Sequence, residues 1–356
     1  MTERSTKSVP ECDAEFSNCV ALVINYNTSR LTVRCVSSLL MTGLHNILVL
    51  DNASNTEDVS YLRDALTIHT TQVRLVESKH NHGFAAGSNL LIELAMQNEA
   101  FRFVLLLNND AVGIPQGLSE MLRTAVSGSA DLVGGRVLSF IEVDSDTPSL
   151  VDSLGITLYR PLLASNRKST DERFLGPTGG CAIYSRRLLA ELKALHGHVF
   201  DPDFFCYAED TDLCIRARLL GYTSSYVDTP VAMHDGQASS GGGFSDFVLY
   251  HGIRNSIWVV LKSIPMSIII RQLPWIVVLH LGIIFRHSLR GKGRVIWRLY
   301  RDALRGVQRM LGKRKIIQST RRIPASGFNQ FITQKFYESS FLKMALRELF
   351  FLRRGK

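Results

Sequence analysis

The sequence lacks the cysteine patterns that build disulfide or zinc frameworks. Its six cysteines include no Cys-x-x-Cys pair, and no combination of Cys and His has the spacing of a zinc site. Cys19 and Cys181 lie in apolar runs that are typical of strands. We therefore expect buried, reduced thiols in a protein of a reducing compartment.

Long apolar runs are also missing. The N-terminus is polar, so residues 1–18 are interpreted as a polar leader rather than a signal peptide. The hydrophobic region 253–285 is interrupted by Lys262 and Arg271, and its longest stretch without a charged residue has 14 residues. A membrane span needs about 20 residues. This region predicts one or two helices that lie on a membrane surface or pack against the domain.

Acidic residues are scarce towards the C-terminus. From residue 286 onward there are 19 Lys and Arg but three acidic residues, a net charge of +16, whereas residues 1–285 carry a net charge of −7. A basic segment attached to an acidic body favours an anionic partner, either lipid or nucleic acid. The composition as a whole, 46% hydrophobic and 21% charged, is that of a globular protein.

Apolar runs alternate with helical patterns in the first part of the chain. Strands are predicted at 20–24, 47–50, 73–76 and 103–107, and helices at 29–41, 58–68 and 87–97. Continuous apolar runs are typical of strands that are buried on both faces. The alternation predicts right-handed crossovers and a mostly parallel sheet, which is an α/β fold.

Beyond residue 110 the pattern is mixed. Strands are predicted at 132–138, 181–184 and 226–227, and helices at 188–195 and 212–220. The segment 147–171 is polar and is expected to be irregular. Residues 236–245 form a glycine- and serine-rich segment that is expected to be a loop able to close over a ligand.

Polar residues follow three of the predicted strands. The groups are Asn25-Tyr26-Asn27, Asp51-Asn52-Ala53-Ser54 and Asn108-Asn109-Asp110. Ligands on parallel sheets bind beyond the carboxyl ends of the strands. The convergence of three polar groups at one edge therefore predicts a binding site there, although each group alone is also typical of an ordinary loop.

A second set of candidates consists of carboxylates and one histidine. A cluster of carboxylates beside a histidine suits a hard divalent cation such as Mg²⁺ or Mn²⁺, which usually enters together with phosphates; the cluster is Asp51, Asp110, Glu209, Asp210, Asp212 and His234. Glu209 and Asp210, with Asp212 close behind, follow an aromatic stretch that can desolvate a carboxylate and raise its basicity. The simpler alternatives are a turn for Asp110, helix capping for the acidic residues and a structural role for His234.

Taken together, these motifs resemble the family 2 inverting glycosyltransferases of the GT-A fold, in particular their rhamnosyltransferase-like branch. The resemblance covers roughly residues 19–260. It rests on the order and spacing of six pieces: residues 23–27, Asp51-Asn52-Ala53-Ser54, the glycine-bearing stretch 81–89, Leu107-Asn108-Asn109-Asp110, Gly179-Gly180-Cys181 and Ala208-Glu209-Asp210-Thr211-Asp212-Leu213. Tyr250-His251 and Arg254-Asn255 resemble a stretch that follows the metal-binding His in this family.

The resemblance implies a site and a mechanism. Asp210 would be the general base with Glu209 as an orienting partner, and Asp110 with His234 would hold Mg²⁺ or Mn²⁺. Asn108 occupies the first position of the Asp-x-Asp motif, so Asp110 alone supplies a carboxylate there. Acceptor-side or loop roles are implied for Gly179, Gly180, Asp212 and Arg254. Donor contacts are implied for Asn25, Tyr26, Asn27, Asp51, Asn52, Asn81, Gly83, Asn89, Asn108 and Asn109.

The implied organisation is a Rossmann-like, mostly parallel sheet flanked by helices over residues 19–252, followed by a helical, basic, membrane-associating extension over 253–356. The implied donor is a dTDP- or UDP-sugar, with rhamnose favoured. The basic extension predicts a glycan or polyprenyl-linked acceptor at an anionic membrane surface. We therefore expect an enzyme of cell-wall or polysaccharide biosynthesis, peripheral on the inner face of a bacterial cytoplasmic membrane.

Three other functions fit less well. A sugar nucleotidyltransferase needs a glycine-rich basic loop after the first strand, where this chain has Asn25-Tyr26-Asn27-Thr28. A dinucleotide-dependent dehydrogenase needs GxGxxG at the same place. A nucleic-acid-binding protein would use the basic tail, but no nucleic-acid motif is found and the acidic body would repel phosphates, so we expect no nucleic-acid partner.

Overall fold

The computed structural model describes residues 16–140, 150–235 and 245–338. Most of the predicted polar leader, nearly all of the predicted loop 236–245 and the last part of the basic tail lie outside these ranges. The five described cysteines form no disulfide.

The described residues form two sheets and a set of flanking helices. The strands are β1 (Cys19–Asn25), β2 (Ile47–Asn52), β3 (Val73–Ser78), β4 (Phe103–Leu107), β5 (Ala111–Gly113), β6 (Leu132–Ser139), β7 (Val151–Ser153), β8 (Ile156–Tyr159), β9 (Ala164–Asn166), β10 (Cys181–Ser185), β11 (Ser224–His234) and β12 (Ile332–Thr333). The helices are α1 (Ser29–Met41), α2 (Thr56–Leu66), α3 (Gly83–Met96), α4 (Pro115–Val126), α5 (Arg186–His196), α6 (Glu209–Leu219), α7 (Asp246–Ser263), α8 (Met266–Leu289), α9 (Gly293–Arg305), α10 (Val307–Thr320) and α11 (Ala325–Phe328).

The main sheet has the strand order β3-β2-β1-β4-β10-β6-β11-β5, with β7 paired to β6. Strands β1 to β4 are parallel, and β10 runs antiparallel to both β4 and β6. Every residue of β4 is buried, as its apolar sequence predicts. The predicted fold class, a mostly parallel sheet flanked by helices, is confirmed.

The second half of the sheet contains elements that the sequence patterns did not predict. Helix α4 begins at Pro115, and β11 has 11 residues where a strand of two was predicted. The segment predicted as irregular contributes β7, β8 and β9, and β8 pairs with β9 and β12 in a small second sheet. These strands are too short to show a period in sequence, and partners distant in the chain stabilise them.

The C-terminal helices share a core with the sheet. Trp258 of α7 and Met310 of α10 are buried in the same apolar cluster as Leu22 of β1 and Leu106 of β4. The predicted boundary between residues 252 and 253 lies inside α7. Helix α7 therefore packs as a core helix of the protein.

A buried group of charges joins these helices to α6. Lys262 contacts both Asp201 and Asp212, and Asp212 also bonds to Arg216, with 2.8 Å between Arg216 Nε and Asp212 Oδ2. These four side chains are fully buried. Lys313 of α10 reaches the same Asp201 carboxylate, so the charges tie α6, α7 and α10 together.

Helix α8 differs from the other C-terminal helices because most of it is exposed. It has 24 residues and a mean hydropathy of 2.0 over its most apolar window, of which 11% is buried. The expectation that this region is too short to span a membrane was wrong. The helix continues through Arg271 and Pro274 and is long and apolar enough to cross a bilayer, by length and composition alone.

Candidate functional site

An open cavity of about 1380 Å³ lies over the carboxyl ends of the parallel strands. Its polar side is formed by the end of β2, the loops after β3 and β4 and the start of α6, and its apolar side includes residues of α8. Twelve of the predicted site residues line it: Tyr26, Asn52, Asn81, Gly83, Asn108, Asn109, Asp110, Gly179, Gly180, Glu209, Asp210 and His234.

Asp210 lies in the first turn of α6, with its carboxylate held by backbone groups. Asp210 Oδ2 accepts a hydrogen bond from Gly179 N at 2.9 Å, and Oδ1 accepts one from Thr211 N at 2.6 Å. Burial raises the pKa of Asp210 above its ordinary value, and these hydrogen bonds partly oppose the shift. The carboxylate is half-buried and faces the cavity, which suits a group that takes up a proton.

The neighbouring Glu209 is more deeply buried, with 6% of its surface exposed. Its Oε2 atom has no hydrogen-bond partner among the described residues. Burial, followed by the negative charge of Asp210, raises the pKa of Glu209 well above its ordinary value. Glu209 therefore lines the cavity beside Asp210 with a largely buried carboxyl group.

Asp110 and His234 meet at the junction of β5 and β11. His234 Nε2 lies 3.0 Å from Asp110 Oδ1, and His234 Nδ1 lies 3.0 Å from Asp152 Oδ2. Burial lowers the pKa of His234, but hydrogen bonds to the two carboxylates outweigh it and raise the pKa to about 10. A carboxylate and an imidazole therefore converge on the cavity, with a second carboxylate orienting the ring.

Gly179 and Gly180 connect the first turn of α6, which carries Asp210, to the loop that carries Asp110. The Gly179 amide bonds to Asp210, and the Gly180 carbonyl accepts a hydrogen bond from Asn108 N at 3.0 Å. A Cβ on Gly179 would lie 3.4 Å from the ring of Phe84 and 3.6 Å from Asp210 Cβ, so the backbone runs close to both. The turn before β10 thus fixes the position of the Asp210 carboxylate relative to the loop of Asp110.

Asn52 at the end of β2 and Asn81 and Gly83 after β3 form a third part of the cavity wall, which we call the Asn52–Asn81–Gly83 corner. Asn52 Nδ2 donates to Asn81 Oδ1 at 3.1 Å and to the Gly83 carbonyl at 3.2 Å, while His82 N donates to Asn52 Oδ1. Gly83 has a φ of +69°, a conformation that side chains disfavour. Tyr26 stands at the edge of this corner with 39% of its surface exposed.

Four residues that were predicted to contact the nucleotide-sugar donor do not line the cavity. They hold the loops around it through hydrogen bonds. Asn25 Nδ2 donates to Asp51 Oδ1 at 2.9 Å, and both side chains are buried. Asn27 Oδ1 accepts from Asn55 N, which fixes the turn after β1. Asn89 bonds the backbone of Phe200 through both ends of its amide. These contacts hold the loops in place.

Two predicted acceptor-side residues do not line the cavity. Asp212 is fully buried against Arg216 and Lys262, because the helix turns its side chain away from that of Asp210. Arg254 is buried on α7 and bonds to Asn255 and to the Phe204 carbonyl. The structure therefore corrects both placements: these charges belong to the packing behind the site.

The sequence patterns missed Asp152 and the apolar wall of the cavity. Asp152 lies in the segment predicted as irregular, and only the pairing of β7 with β6 brings it to His234. The apolar wall includes Val278, Leu279 and Ile283 of α8, together with Phe336. Hydropathy had marked α8, but nothing in the sequence placed it beside the cavity.

Comparison with known proteins finds a similarity to one family in the first half of the chain. Residues 20–193 match the family described as Glycosyl transferase family 2. The chain is 23% identical over 298 residues to the low-salt glycan biosynthesis hexosyltransferase Agl10 of Haloferax volcanii, covering 82% of this chain and 92% of that protein.

A solved structure has a similar fold. The crystal structure of GalNAc-T7 with UDP, GalNAc and Mn²⁺ superposes with a TM-score of 0.53 at 15% identity, over 68% of this chain and 47% of that one. This chain thus matches about half the length of that protein, and the similarity concerns the fold. The match of residues 20–193 and this shared fold agree with the strand order and with a cavity at the strand ends. Residues 20–193 are therefore similar to glycosyl transferase family 2, and the chain shares its fold with that glycosyltransferase structure.

Proposed function

We propose that this protein transfers a hexose from a nucleotide-diphosphate donor to an acceptor hydroxyl with inversion at the anomeric carbon. The observation that carries the proposal is the convergence of Asp210, the Asp110–His234 pair and the Asn52–Asn81–Gly83 corner on one cavity. That cavity has space for both a nucleotide sugar and an acceptor.

In this mechanism Asp210 is the general base. The acceptor oxygen forms a bond to the anomeric carbon while its proton passes to the Asp210 carboxylate. The bond between the anomeric carbon and the phosphate oxygen breaks, and the nucleoside diphosphate leaves. The backbone amides of Gly179 and Thr211 hold the carboxylate towards the cavity, which preorganises it for attack from one side.

Asp110 and His234 fit a divalent cation that is shared with the donor. Among residues 16–140, 150–235 and 245–338, no group of three or more acidic, Cys or His side chains could hold a metal by itself. A carboxylate and an imidazole 3.0 Å apart instead provide two ligands, once a bound cation has displaced the proton from His234 Nε2, and leave other positions for diphosphate oxygens. When bound, Mg²⁺ or Mn²⁺ would supply positive charge that stabilises the leaving diphosphate. Asp152 would orient His234 through its other ring nitrogen.

The remaining predicted contacts divide between donor and acceptor. Tyr26 and Asn52 are proposed to contact the base and ribose of the donor, because both line the cavity and the exposed Tyr26 ring offers a stacking surface. For the sugar, the family resemblance favours dTDP-rhamnose, while the relationship to a hexosyltransferase leaves UDP-hexoses open. Measuring nucleotide release over a panel of dTDP- and UDP-sugars identifies the donor.

The acceptor is proposed to be a lipid-linked glycan at the inner face of a bacterial membrane. Exposed apolar side chains of α8, such as Leu273, Val277 and Leu281, continue towards the wall of the cavity. The basic helices α9 and α10 follow directly, which suits an anionic bilayer surface. An amphiphilic acceptor could therefore lie along α8 with its glycan in the cavity.

Substitution of Asp210 tests the catalytic proposal. Asp210→Asn should lower kcat by at least about 100-fold, because an amide cannot take the proton, while binding of the nucleotide persists. Asp64→Asn, an exposed site on α2, is the matched control and should leave turnover unchanged. Substantial turnover by Asp210→Asn would remove this residue from the role of base.

Membrane binding is tested separately. The protein should sediment with anionic liposomes at moderate salt, and it should not be retained by DNA at matched salt. If it stays in solution with liposomes and transfers sugar equally well to a water-soluble acceptor, the lipid-linked acceptor is wrong. Retention by DNA alone would instead favour the nucleic-acid alternative.

A further inference from the structure

The loop that leads into α6 has an unusual backbone. Phe205, Tyr207 and Ala208 have φ values of 66°, 67° and 66°, a left-handed region that residues with side chains rarely adopt. Cys206 N also donates to the Phe204 carbonyl at 2.8 Å, which closes a tight turn around Phe205 with ψ at −63°. Turns of this type are rare and strained, and they persist only where surrounding contacts hold them.

One side chain supplies contacts along the whole of this loop. Asn255 of α7 is fully buried, and its Nδ2 lies 3.0 Å from the Phe204 carbonyl, 2.7 Å from that of Cys206 and 2.7 Å from that of Tyr207. Three carbonyls of one loop thus share the two hydrogens of one amide. No other described side chain contacts three carbonyls of this loop.

The orientation of the Asn255 amide is itself fixed by Arg254. Asn255 Oδ1 accepts hydrogen bonds from Arg254 Nε at 2.9 Å and from Nη2 at 2.8 Å. The guanidinium lies against the rings of Trp258 and Tyr250, 4.4 Å and 5.0 Å from their centroids. Because a guanidinium only donates, the amide must turn its oxygen to Arg254 and its nitrogen to the loop.

The loop touches both halves of the proposed site. The Phe205 carbonyl accepts from Ala85 N at 3.0 Å, and a Cβ on Gly83 would lie only 2.5 Å from the same oxygen. At the other end, Ala208 caps α6, whose first turn carries Asp210. The loop conformation therefore sets the distance between the donor corner and the carboxylate.

We propose that Asn255 is a positioning residue for Asp210, acting through the strained loop rather than by contact with substrate. This inference rests on the proposed role of Asp210 as base. A residue that merely fills the core would affect folding alone. A positioning residue affects turnover in the folded enzyme, and relief of the backbone strain partly compensates for its loss.

Two substitutions remove the contacts in different ways. Asn255→Asp keeps the volume but has no N–H to donate, and Asn255→Ala removes the amide altogether. We expect kcat of the folded variants to fall by at least about tenfold, because small displacements of a reacting group cost large factors in rate. The dissociation constant of the donor's nucleoside diphosphate, measured by calorimetry, should stay within about threefold of wild type.

The matched control is Ser263→Ala on the same helix. Ser263 Oγ donates to Asp212 Oδ1 at 2.8 Å, so its removal also costs one buried hydrogen bond between α7 and α6. This variant should lower the thermal unfolding midpoint and leave kcat unchanged. A similar fall in kcat for Ser263→Ala would show that any weakening of this helix pair has the same effect, which would overturn the specific role of Asn255.

The decisive variant adds Ala208→Gly to Asn255→Ala. Glycine adopts a φ of 66° without strain, so the double variant should recover at least about threefold in kcat over Asn255→Ala. Wild-type kcat in both Asn255 variants, loss of kcat without recovery, or failure of the double variant to fold would each overturn the proposal. Absence of transfer by the wild-type enzyme with every donor, or turnover by Asp210→Asn, would instead refute the proposed function.

Discussion

Replacing Asp212 by asparagine tests whether the buried charges hold the C-terminal helices against α6. The Asp212 carboxylate accepts from Arg216 Nε at 2.8 Å and from Ser263 Oγ at 2.8 Å, and it lies 3.0 Å from Lys262 Nζ. Burial alone would raise the pKa of Asp212, but the charges of Arg216 and Lys262 outweigh it and lower the pKa. Asparagine keeps the shape of the side chain and removes the charge that these cations require.

The loss of stability in Asp212→Asn depends on which partners Lys262 and Arg216 retain. Removing one partner of a buried ion pair costs about 3–5 kcal/mol, since the other charge remains buried. Lys262 still contacts Asp201, and Arg216 still bonds to the Val199 carbonyl, so the lower end of the range applies. We therefore expect a loss of about 3 kcal/mol in the free energy of unfolding. At roughly 2–4 °C per kcal/mol, the midpoint of thermal unfolding falls by about 6–12 °C.

The assay is thermal and denaturant unfolding of the full chain, followed by circular dichroism. Asp228→Asn is the matched control: Asp228 also pairs with an arginine, Arg136, but its side chain is 65% exposed. Exposed pairs contribute about 0–1 kcal/mol, so this variant should unfold close to wild type. If Asp212→Asn is no less stable than Asp228→Asn, the buried charges contribute nothing to the packing of α6 against α7.

Two further predictions concern the metal dependence of donor binding and the stability of the protein at acidic pH. Calorimetry should show that Mn²⁺ or Mg²⁺ raises the affinity of the wild-type enzyme for the donor, and that Asp110→Ala abolishes this gain. Excess EDTA should stop turnover by the wild-type enzyme. Full activity in EDTA would contradict a metal role. Burial, with the charge of Arg216, lowers the pKa of His196 to about 4. Since the unfolded imidazole takes up its proton near pH 6.5, this group contributes stability fully above pH 6.5. That contribution falls by about 1.4 kcal/mol per pH unit down to pH 4, and His196→Gln should flatten the decline.

The first half of the fold could be predicted because local patterns of apolar residues indicate its strands and helices. Strands β1 and β4 are apolar runs buried on both faces, and α1 spans the predicted residues 29–41. The polar groups that end β2 and β4 meet at one edge because parallel strands bring their carboxyl ends together. Asp110 and Asn52 lie on one cavity for that reason.

Several strands of the second half could not be predicted because they are stabilised by pairing with strands that are distant in the chain. Strands β7, β8 and β9 have three or four residues each, which is too few to show a period, and β8 pairs with β12 near the other end of the described chain. Helix α8 was underestimated for a different reason. A count of uncharged residues stopped at Arg271, while the helix continues past it because its backbone hydrogen bonds do not depend on side-chain polarity.

The sequence by itself determined the strands and helices of the first half, in their order along the chain, and the presence of acidic residues at the start of α6. It did not determine which of these acidic side chains faces the cavity. Asp210 and Asp212 are two positions apart, and a helix turns about 200° over that distance, so one faces the cavity and the other the buried cations. Only the tertiary structure made that assignment, because the partners of each carboxylate come from elements far away in the chain. The same holds for Asn255, whose amide reaches a loop nearly fifty residues earlier.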